Sequence, residues 1–283
     1  MITDRGKVGP EHAQRPARLE IFDKALTTHR LSQKAVSTGP GHRLFIAVPT
    51  QAAPPQGWPI LYLLDGNAAF DFLTPALLAQ VPGLVVVGVG YDTERQFARE
   101  RRTLDFTAPD GPGDGIRPDP VHPGRMAGGA AQFLDRLTGP LCEAAEAGLA
   151  INPAQRTLWG HSFGGLFTLY ALLTRPDCFA RFAAISPSIW WDEPLIRRIA
   201  AMAKLPDNQP ALMVALGDRE KRSGVGGPPP DGPSPTTMAF LRDLREMPGI
   251  DARVHVLPGL IHIETIAGSF PLALPFAQGQ GGI

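Results

Sequence analysis

Short runs of apolar residues recur along the chain, and segments with helical spacing lie between them. The runs fall at 60–64, 84–89, 157–159, 182–186 and 211–216, and a last strand of mixed residues is predicted at 252–257. Strands that helices cover on both faces are apolar at consecutive positions, whereas half-exposed strands alternate. Buried strands that alternate with helices form a parallel sheet with helices on both faces. The pattern therefore predicts an α/β protein with a mostly parallel central sheet.

The segments between the runs are predicted to be helices, with one long exception. Helical spacing indicates helices at 69–80, 130–147, 163–174, 195–203 and 236–247. Residues 92–128 are predicted to be irregular, because their second half is dense in Gly and Pro. Long loops in compact domains usually carry function.

The length of the chain favours one large domain over two small ones. A chain of 283 residues can bury a sizeable core by itself. We expect residues 1–18, which are mostly polar, to form a flexible N-terminal arm. Residues 19–283 then form a single domain with Gly/Pro-rich loops at 107–128 and 221–235.

Charge and cysteine content exclude several classes of partner. Lys plus Arg equals Asp plus Glu at 27 each, so the formal net charge is zero. The chain therefore has no overall electrostatic attraction to nucleic acid or to an anionic membrane. No apolar run approaches the length of a membrane span. Cys142 and Cys178 lack metal-site spacing, so we expect no metal and no cofactor.

The polar N-terminus lacks the apolar core of a signal peptide, and a cytoplasmic location is expected. No oligomeric state follows from the sequence.

The strongest chemical motif is a glycine–serine–glycine turn after the apolar run 157–159. Gly160, Ser162 and Gly164 match the G-x-S-x-G spacing of a nucleophile elbow. In such an elbow the serine lies on a strained turn, and the flanking glycines are expected to avoid clashes with the neighbouring strand and helix. The motif predicts an α/β-hydrolase fold with Ser162 as the nucleophile.

The serine needs a base, and His262 is the candidate. It follows the last predicted strand, which ends at Leu257, on a turn that contains Pro and Gly. The ligand site of a parallel sheet lies at the carboxyl ends of its strands. His122 in the long loop is the rival. His161 is expected to point away from the elbow.

An acid that orients the base is expected between the serine and the histidine in sequence. Glu220 is the candidate because it follows the strand that ends near Gly217. Asp218 is the alternative, and a Ser–His dyad without an acid is a third possibility.

Acyl transfer also requires hydrogen-bond donors for the oxyanion. One is expected at the backbone N–H of Phe163, directly after the nucleophile. The other is expected in the loop after the run 60–64, at Gly66 and Asn67.

Several motifs occur in an order that resembles a known family. They are Leu61 to Ala68, Gly88 to Tyr91, Arg102 to Thr107, Gly128 to Ala130, Trp159 to Gly165 and Ser186 to Ser188. In this order they resemble the esterase-D-like esterases and, within them, the siderophore trilactone esterases that act on enterobactin, salmochelin and bacillibactin. The resemblance spans about residues 30–270.

The resemblance implies a serine esterase that cleaves the serine-ester linkages of a catecholate macrolactone. It implies Ser162 as nucleophile, His262 as base and Arg102 as an arginine facing the substrate, with Arg125 as a second substrate-binding residue. An ion pair between Arg102 and Asp105 is the competing structural explanation. The expected partner is a small-molecule ester such as a ferric siderophore.

Two other functions are compatible with the same motifs. One is a general carboxylesterase or a thioesterase that resembles S-formylglutathione hydrolase. The other is a non-catalytic protein that binds a siderophore and retains the hydrolase fold.

Overall fold

A computed structural model of the chain describes residues 15–280, except 38, 40, 207–209, 222–226 and 229. Its strands are β1 (His29–Val36), β2 (His42–Pro49), β3 (Trp58–Leu64), β4 (Val85–Tyr91), β5 (Arg117–Pro118), β6 (Met126–Ala127), β7 (Ile151–His161), β8 (Arg181–Ile185), β9 (Ala211–Gly217) and β10 (Asp251–Leu257). Its α-helices are α1 (Gly66–Phe72), α2 (Pro75–Ala79), α3 (Arg99–Asp105), α4 (Ala130–Arg136), α5 (Cys142–Glu146), α6 (Phe163–Thr174), α7 (Glu193–Met202), α8 (Pro235–Arg245) and α9 (Thr265–Ala277).

Eight of these strands form one sheet, in the order β1-β2-β4-β3-β7-β8-β9-β10. The β1–β2 and β2–β4 pairs are antiparallel, and the pairs from β4 to β10 are parallel. The predicted α/β fold with a mostly parallel sheet is therefore confirmed.

Each face of the sheet packs against a separate apolar core. Tyr62 and Leu64 of β3 lie in the core that includes Phe167 of α6. Leu61 and Leu63 lie in the opposite core, which includes Phe270 of α9. Because successive strand residues face opposite sides, both sets must be apolar. This explains the consecutive apolar runs of the sequence.

The prediction of an irregular segment over 92–128 is wrong in part. This segment contains helix α3 and, after that helix, the short β5–β6 hairpin. The α3 sequence Arg-Glu-Arg-Arg-Thr-Leu-Asp is too polar to show a helical stripe. The predicted helix 130–147 is also interrupted, by a π-type turn at Leu137–Leu141 that contains Gly139 and Pro140. Proline removes a backbone donor and crowds the preceding turn, which breaks the helix.

The predicted arm and loops are described only in part. Residues 1–14 and most of 222–229 lie outside the described residues. Of the remaining arm residues, Arg15 and Ala17 exchange backbone hydrogen bonds with residues 94 and 96, and the N–H of Arg18 donates to Asp71. In the part of the chain that the structure describes, no helix has the length and apolar character needed to cross a bilayer.

Candidate active site

Ser162 stands between β7 and α6 in a strained backbone conformation. Its φ and ψ angles are 61° and −116°, and φ is positive although the residue is not glycine. Such a conformation costs on the order of 1–3 kcal/mol and persists where the surrounding structure enforces it. Here the N–H of Ser162 donates to the carbonyl of Ile185 in β8, and its carbonyl accepts from the N–H of Ser188. The end of β8 and the residues just after it therefore hold Ser162 through both its N–H and its carbonyl.

The glycines around Ser162 differ in how strictly they are required. A Cβ on Gly160 would collide with the backbone of Gly164, and one on Gly165 would lie 2.7 Å from the carbonyl oxygen of Ile185. A Cβ on Gly164 would lie 3.4 Å from its nearest neighbour, Leu64, which is an ordinary contact. The expectation that both motif glycines avoid clashes is therefore correct for Gly160 and wrong for Gly164. The second tight position is Gly165.

The Ser162 hydroxyl is hydrogen-bonded to a second serine. Its Oγ lies 3.1 Å from the Oγ of Ser188, which is almost fully buried. No direct hydrogen bond joins Ser162 to His262 among the described residues. Hydrogen bonds between a nucleophile and its base are often long or misaligned before substrate binds.

His262 and Glu220 lie together at the adjacent strand ends. The His262 Nδ1 lies 2.8 Å from the Glu220 Oε2. Since a carboxylate only accepts, Nδ1 carries the proton and Nε2 is left able to take one. His262 begins the short turn before α9, and Glu220 follows β9. The pair thus has the tautomer that a general base requires.

Glu220 is held ionised by three donors. Its Oε1 accepts from the Ser186 hydroxyl and the Gly217 N–H, both at 2.6 Å, while Oε2 accepts from His262. Burial alone would raise the pKa of the Glu220 carboxyl, but these hydrogen bonds and the charge of His262 together lower it. Asp218, the alternative acid, instead accepts from the N–H of Gly259. The geometry therefore favours Glu220 as the partner of His262.

His161 joins the elbow to the base. Its Nε2 donates to the His262 carbonyl at 2.8 Å, and the centroids of the two rings are 4.6 Å apart. Burial, together with the charge of His262, lowers the pKa of His161 well below its usual value. His161 is therefore neutral, and it contacts the base His262.

The two predicted oxyanion segments are the first turns of two helices. Phe163 begins α6, and Gly66 and Asn67 begin α1. The first N–H groups of a helix have no partner within the helix. The Asn67 side chain is engaged elsewhere, since it bonds the backbone of Tyr91 and the Thr93 carbonyl. Only the backbone N–H groups of the two loops remain as candidate donors.

Arg102 pairs with Asp65. Its Nε and one terminal nitrogen donate to both Asp65 carboxylate oxygens at 2.8–3.1 Å, and the same terminal nitrogen lies 3.4 Å from the His161 carbonyl. The alternative ion pair with Asp105 is wrong, because Asp105 bonds Arg136 and the Tyr91 hydroxyl. The mostly buried Arg102 side chain thus links the loop after β3 to the elbow.

Arg125 lies beside α3, where its guanidinium donates to the Thr103 hydroxyl at 3.3 Å. Burial and the nearby charges of Arg125 and Arg102 lower the pKa of Arg99. Arg99, Arg102 and Arg125 therefore lie near one another, and the charge of Arg102 is paired with Asp65.

His122, the rival base, also has a carboxylate partner. Its Nδ1 lies 2.7 Å from the Asp119 Oδ2. Its ring packs edge-on against Phe163 with centroids 5.9 Å apart. Sequence analysis missed the Asp119–His122 pair, although the three-residue spacing was visible.

The described residues contain no group of three or more His, Cys, Asp or Glu side chains that could hold a metal ion.

Known proteins resemble this chain in sequence and in structure. The model of the Esterase family, described as "Putative esterase", matches residues 37–225. The chain is 36% identical over 198 residues to the ferri-bacillibactin esterase BesA of Bacillus subtilis, which covers 64% of this chain and 66% of that protein. It is 32% identical over 281 residues to the apo-salmochelin esterase of Escherichia coli O6:H1, which covers 94% and 85%.

A solved structure of the enterobactin hydrolase IroE in complex with DFP has the same fold. The TM-score is 0.71 at 28% identity, over 92% of this chain and 99% of that one. A DFP complex indicates a serine hydrolase.

Proposed function

The chain belongs to the Esterase family, and we propose that it hydrolyses the serine-ester linkages of a catecholate siderophore through an acyl-enzyme. The observation that supports the serine mechanism is the hydrogen bond between His262 and Glu220 at the carboxyl-terminal end of the sheet, where Ser162 also lies. The substrate class is supported by the relatives, whose names specify bacillibactin and salmochelin.

In the first half-reaction Ser162 Oγ attacks the ester carbonyl while His262 Nε2 takes the proton of the Ser162 hydroxyl. For this step Oγ leaves its hydrogen bond to Ser188 and turns toward His262. The negative charge that develops on the carbonyl oxygen is stabilised by backbone N–H groups of Phe163 and of the Gly66–Asn67 turn. Glu220 stabilises the imidazolium and keeps its orientation.

The tetrahedral intermediate then collapses. The bond to the leaving alcohol, the hydroxyl of a substrate serine unit, breaks, and His262 gives that oxygen its proton. An acyl group remains on Ser162. In the second half-reaction His262 takes a proton from water, the hydroxide attacks the acyl carbonyl, and the proton passes to Ser162 as the acid departs.

A cluster of arginines on α3 and the loop after it offers a contact for an anionic substrate. Arg99, Arg102 and Arg125 lie close together along α3 and the loop that follows. Because Arg102 is bound to Asp65, we assign it mainly to positioning the two oxyanion loops. Arg125 is the better candidate for direct contact with catecholate oxygens.

Hydrolysis of enterobactin by the purified protein tests the proposal. We expect chromatography with mass spectrometry to detect linear dihydroxybenzoyl-serine products, and Ser162→Ala to abolish them. A fluorophosphonate probe should label the wild type on the peptide that contains Ser162. Absence of labelling would contradict the mechanism and favour a binding protein.

A substrate panel separates the siderophore function from the general esterase alternative. It compares kcat/KM for enterobactin, its ferric complex, short acyl esters and S-formylglutathione. We expect the trilactone to be the best substrate. Preference for S-formylglutathione would contradict the substrate class but leave the serine mechanism intact.

A cytoplasmic location belongs to the same proposal. Cys142 and Cys178 are both free thiols, which agrees with a reducing compartment. Fractionation of producing cells tests this, and recovery in the periplasm or medium would contradict it.

A further inference from the structure

The loop between α3 and α4 carries a histidine–carboxylate pair that the proposed mechanism does not use. Asp119 Oδ2 accepts from His122 Nδ1 at 2.7 Å, which leaves His122 Nε2 as the free ring nitrogen. Nε2 has no hydrogen-bond partner within the described residues, and about 31% of the side chain is exposed. His122 therefore presents a polar atom to solvent while its other nitrogen is fixed.

Asp119 is itself firmly held, so the orientation of His122 is built into the fold. Its side chain is fully buried, and its Oδ1 accepts from the Trp191 indole N–H at 3.0 Å and from the Val121 N–H at 2.9 Å. The same loop is bonded a second time to the segment just before α7, because Arg117 donates to Asp192 at 2.9 Å. A side chain anchored in this way loses little conformational entropy when it binds a ligand.

His122 lies beside the nucleophile in an aromatic setting. Its ring is 5.9 Å from the ring of Phe163, the residue directly after Ser162, and 6.5 Å from that of Trp190. Phe163 and Trp190 are 6.2 Å apart. The Phe163 ring is only 5% exposed, whereas the His122 and Trp190 rings are partly exposed. The two partly exposed rings, supported by Phe163, provide a surface that packs well against a flat aryl group.

We propose that His122, with Phe163 and Trp190, forms a subsite that binds a phenolic aryl group of the substrate. The rings contact the face or edge of the aryl group, and His122 Nε2 hydrogen-bonds a phenolic oxygen. A neutral imidazole accepts from a phenol, and an imidazolium donates to a phenolate. This inference rests on the proposed function, because it identifies where the catecholate of the ester binds.

Matched esters test the subsite. They are the methyl esters of N-(dihydroxybenzoyl)serine and N-(dimethoxybenzoyl)serine, which share the aryl ring and differ in their phenolic hydrogens. We compare wild type with His122→Phe, which retains an aromatic ring but lacks Nε2. The control is His255→Phe, the same change at a half-buried histidine within β10 that takes no part in either histidine–carboxylate pair.

For His122→Phe we expect the ratio of kcat/KM for the dihydroxy ester to that for the dimethoxy ester to fall about tenfold, mainly through KM. The ratio should be unchanged in His255→Phe. A merely structural role of His122 would lower the rates for both esters together and leave the ratio intact, which would overturn the inference. If His122→Phe does not fold, His122→Gln decides the question by the same ratio.

The design separates this inference from the proposed function. If the wild type hydrolyses the dihydroxy ester and the ratio does not change, only the subsite is wrong. If the wild type hydrolyses para-nitrophenyl acetate but neither the dihydroxy ester nor enterobactin, the substrate class is wrong and the subsite falls with it.

Discussion

The molecule contains two histidine–carboxylate pairs with nearly the same geometry in different places. In His262–Glu220 the Nδ1–oxygen distance is 2.8 Å, and in His122–Asp119 it is 2.7 Å. The first pair lies on the turns after β9 and β10, at the carboxyl-terminal end of the parallel strands. The second lies on the loop that follows α3. The hydrogen bond alone therefore does not assign a role.

The surroundings of the two pairs differ in ways that match the proposed roles. Glu220 accepts from the N–H of Gly217, the last residue of β9, and from Ser186, which follows β8, so the sheet itself fixes His262. Asp119 is bonded to Trp191, and His122 packs on Phe163, so the second pair belongs to an aromatic surface. We infer that the first pair moves protons and the second contacts substrate.

The largest expected effect separates the two histidines. His262→Ala and Ser162→Ala should each lower kcat for any ester by about 10⁴-fold or more, because each removes a group that takes part in bond making. Steady-state hydrolysis of para-nitrophenyl acetate measures this. If His122→Ala lowered kcat as far as His262→Ala, the roles of the two pairs would be exchanged.

The carboxylates provide the next test. Glu220→Gln should lower kcat by about 10³- to 10⁴-fold for every ester, since the amide no longer stabilises the imidazolium. Asp119→Asn should mainly raise KM for dihydroxybenzoyl esters. Separate kcat and KM values for both variants provide the measurement. A Glu220→Gln enzyme within about tenfold of wild-type kcat would indicate a Ser–His dyad.

Arg102 joins the loop after β3 to the elbow, and replacing its partner Asp65 tests how much this contact stabilises the fold. Asp65→Asn leaves the guanidinium buried without a counter-charge, so the free energy of unfolding should fall by about 3–5 kcal/mol. Urea titration followed by circular dichroism measures it. The matched control is Glu143→Gln, an exposed residue at the start of α5. A loss below about 1 kcal/mol would mean that solvent screens the pair.

The smallest effect concerns His161, the buried neighbour of His262. Its folded pKa lies well below the usual 6.5, so the unfolded chain binds a proton that the folded chain does not. The stability that this residue contributes is complete above about pH 6.5 and is lost as pH falls below it, by up to about 1.4 kcal/mol per pH unit.

Urea titrations at several pH values measure this slope. His161→Gln should reduce it without removing it, because burial and two nearby arginines also lower the pKa of His42 to about 4. A slope that is the same in wild type and variant would show that His161 is protonated in the folded protein.

Much of the fold could be predicted from the sequence. The consecutive apolar residues of β3 and β4 arise because both faces are covered, and that requirement acts on each strand separately. Helix α3 could not be predicted in this way, because its residues are mostly polar and it is ordered by contacts such as Arg102 with Asp65. The break at Gly139 and Pro140 was visible in the sequence and was missed.

For the site, the sequence alone predicted Ser162 as nucleophile and His262 as base, since chain order and strand ends restrict where these groups can lie. It left the acid open between Glu220, Asp218 and a dyad without an acid. It did not determine the partner of Arg102, the contact between His161 and His262, or the role of Gly165. Tertiary structure decided these, because each depends on how closely two segments distant in sequence approach. A motif constrains its own backbone, whereas a buried contact is selected by everything that packs around it.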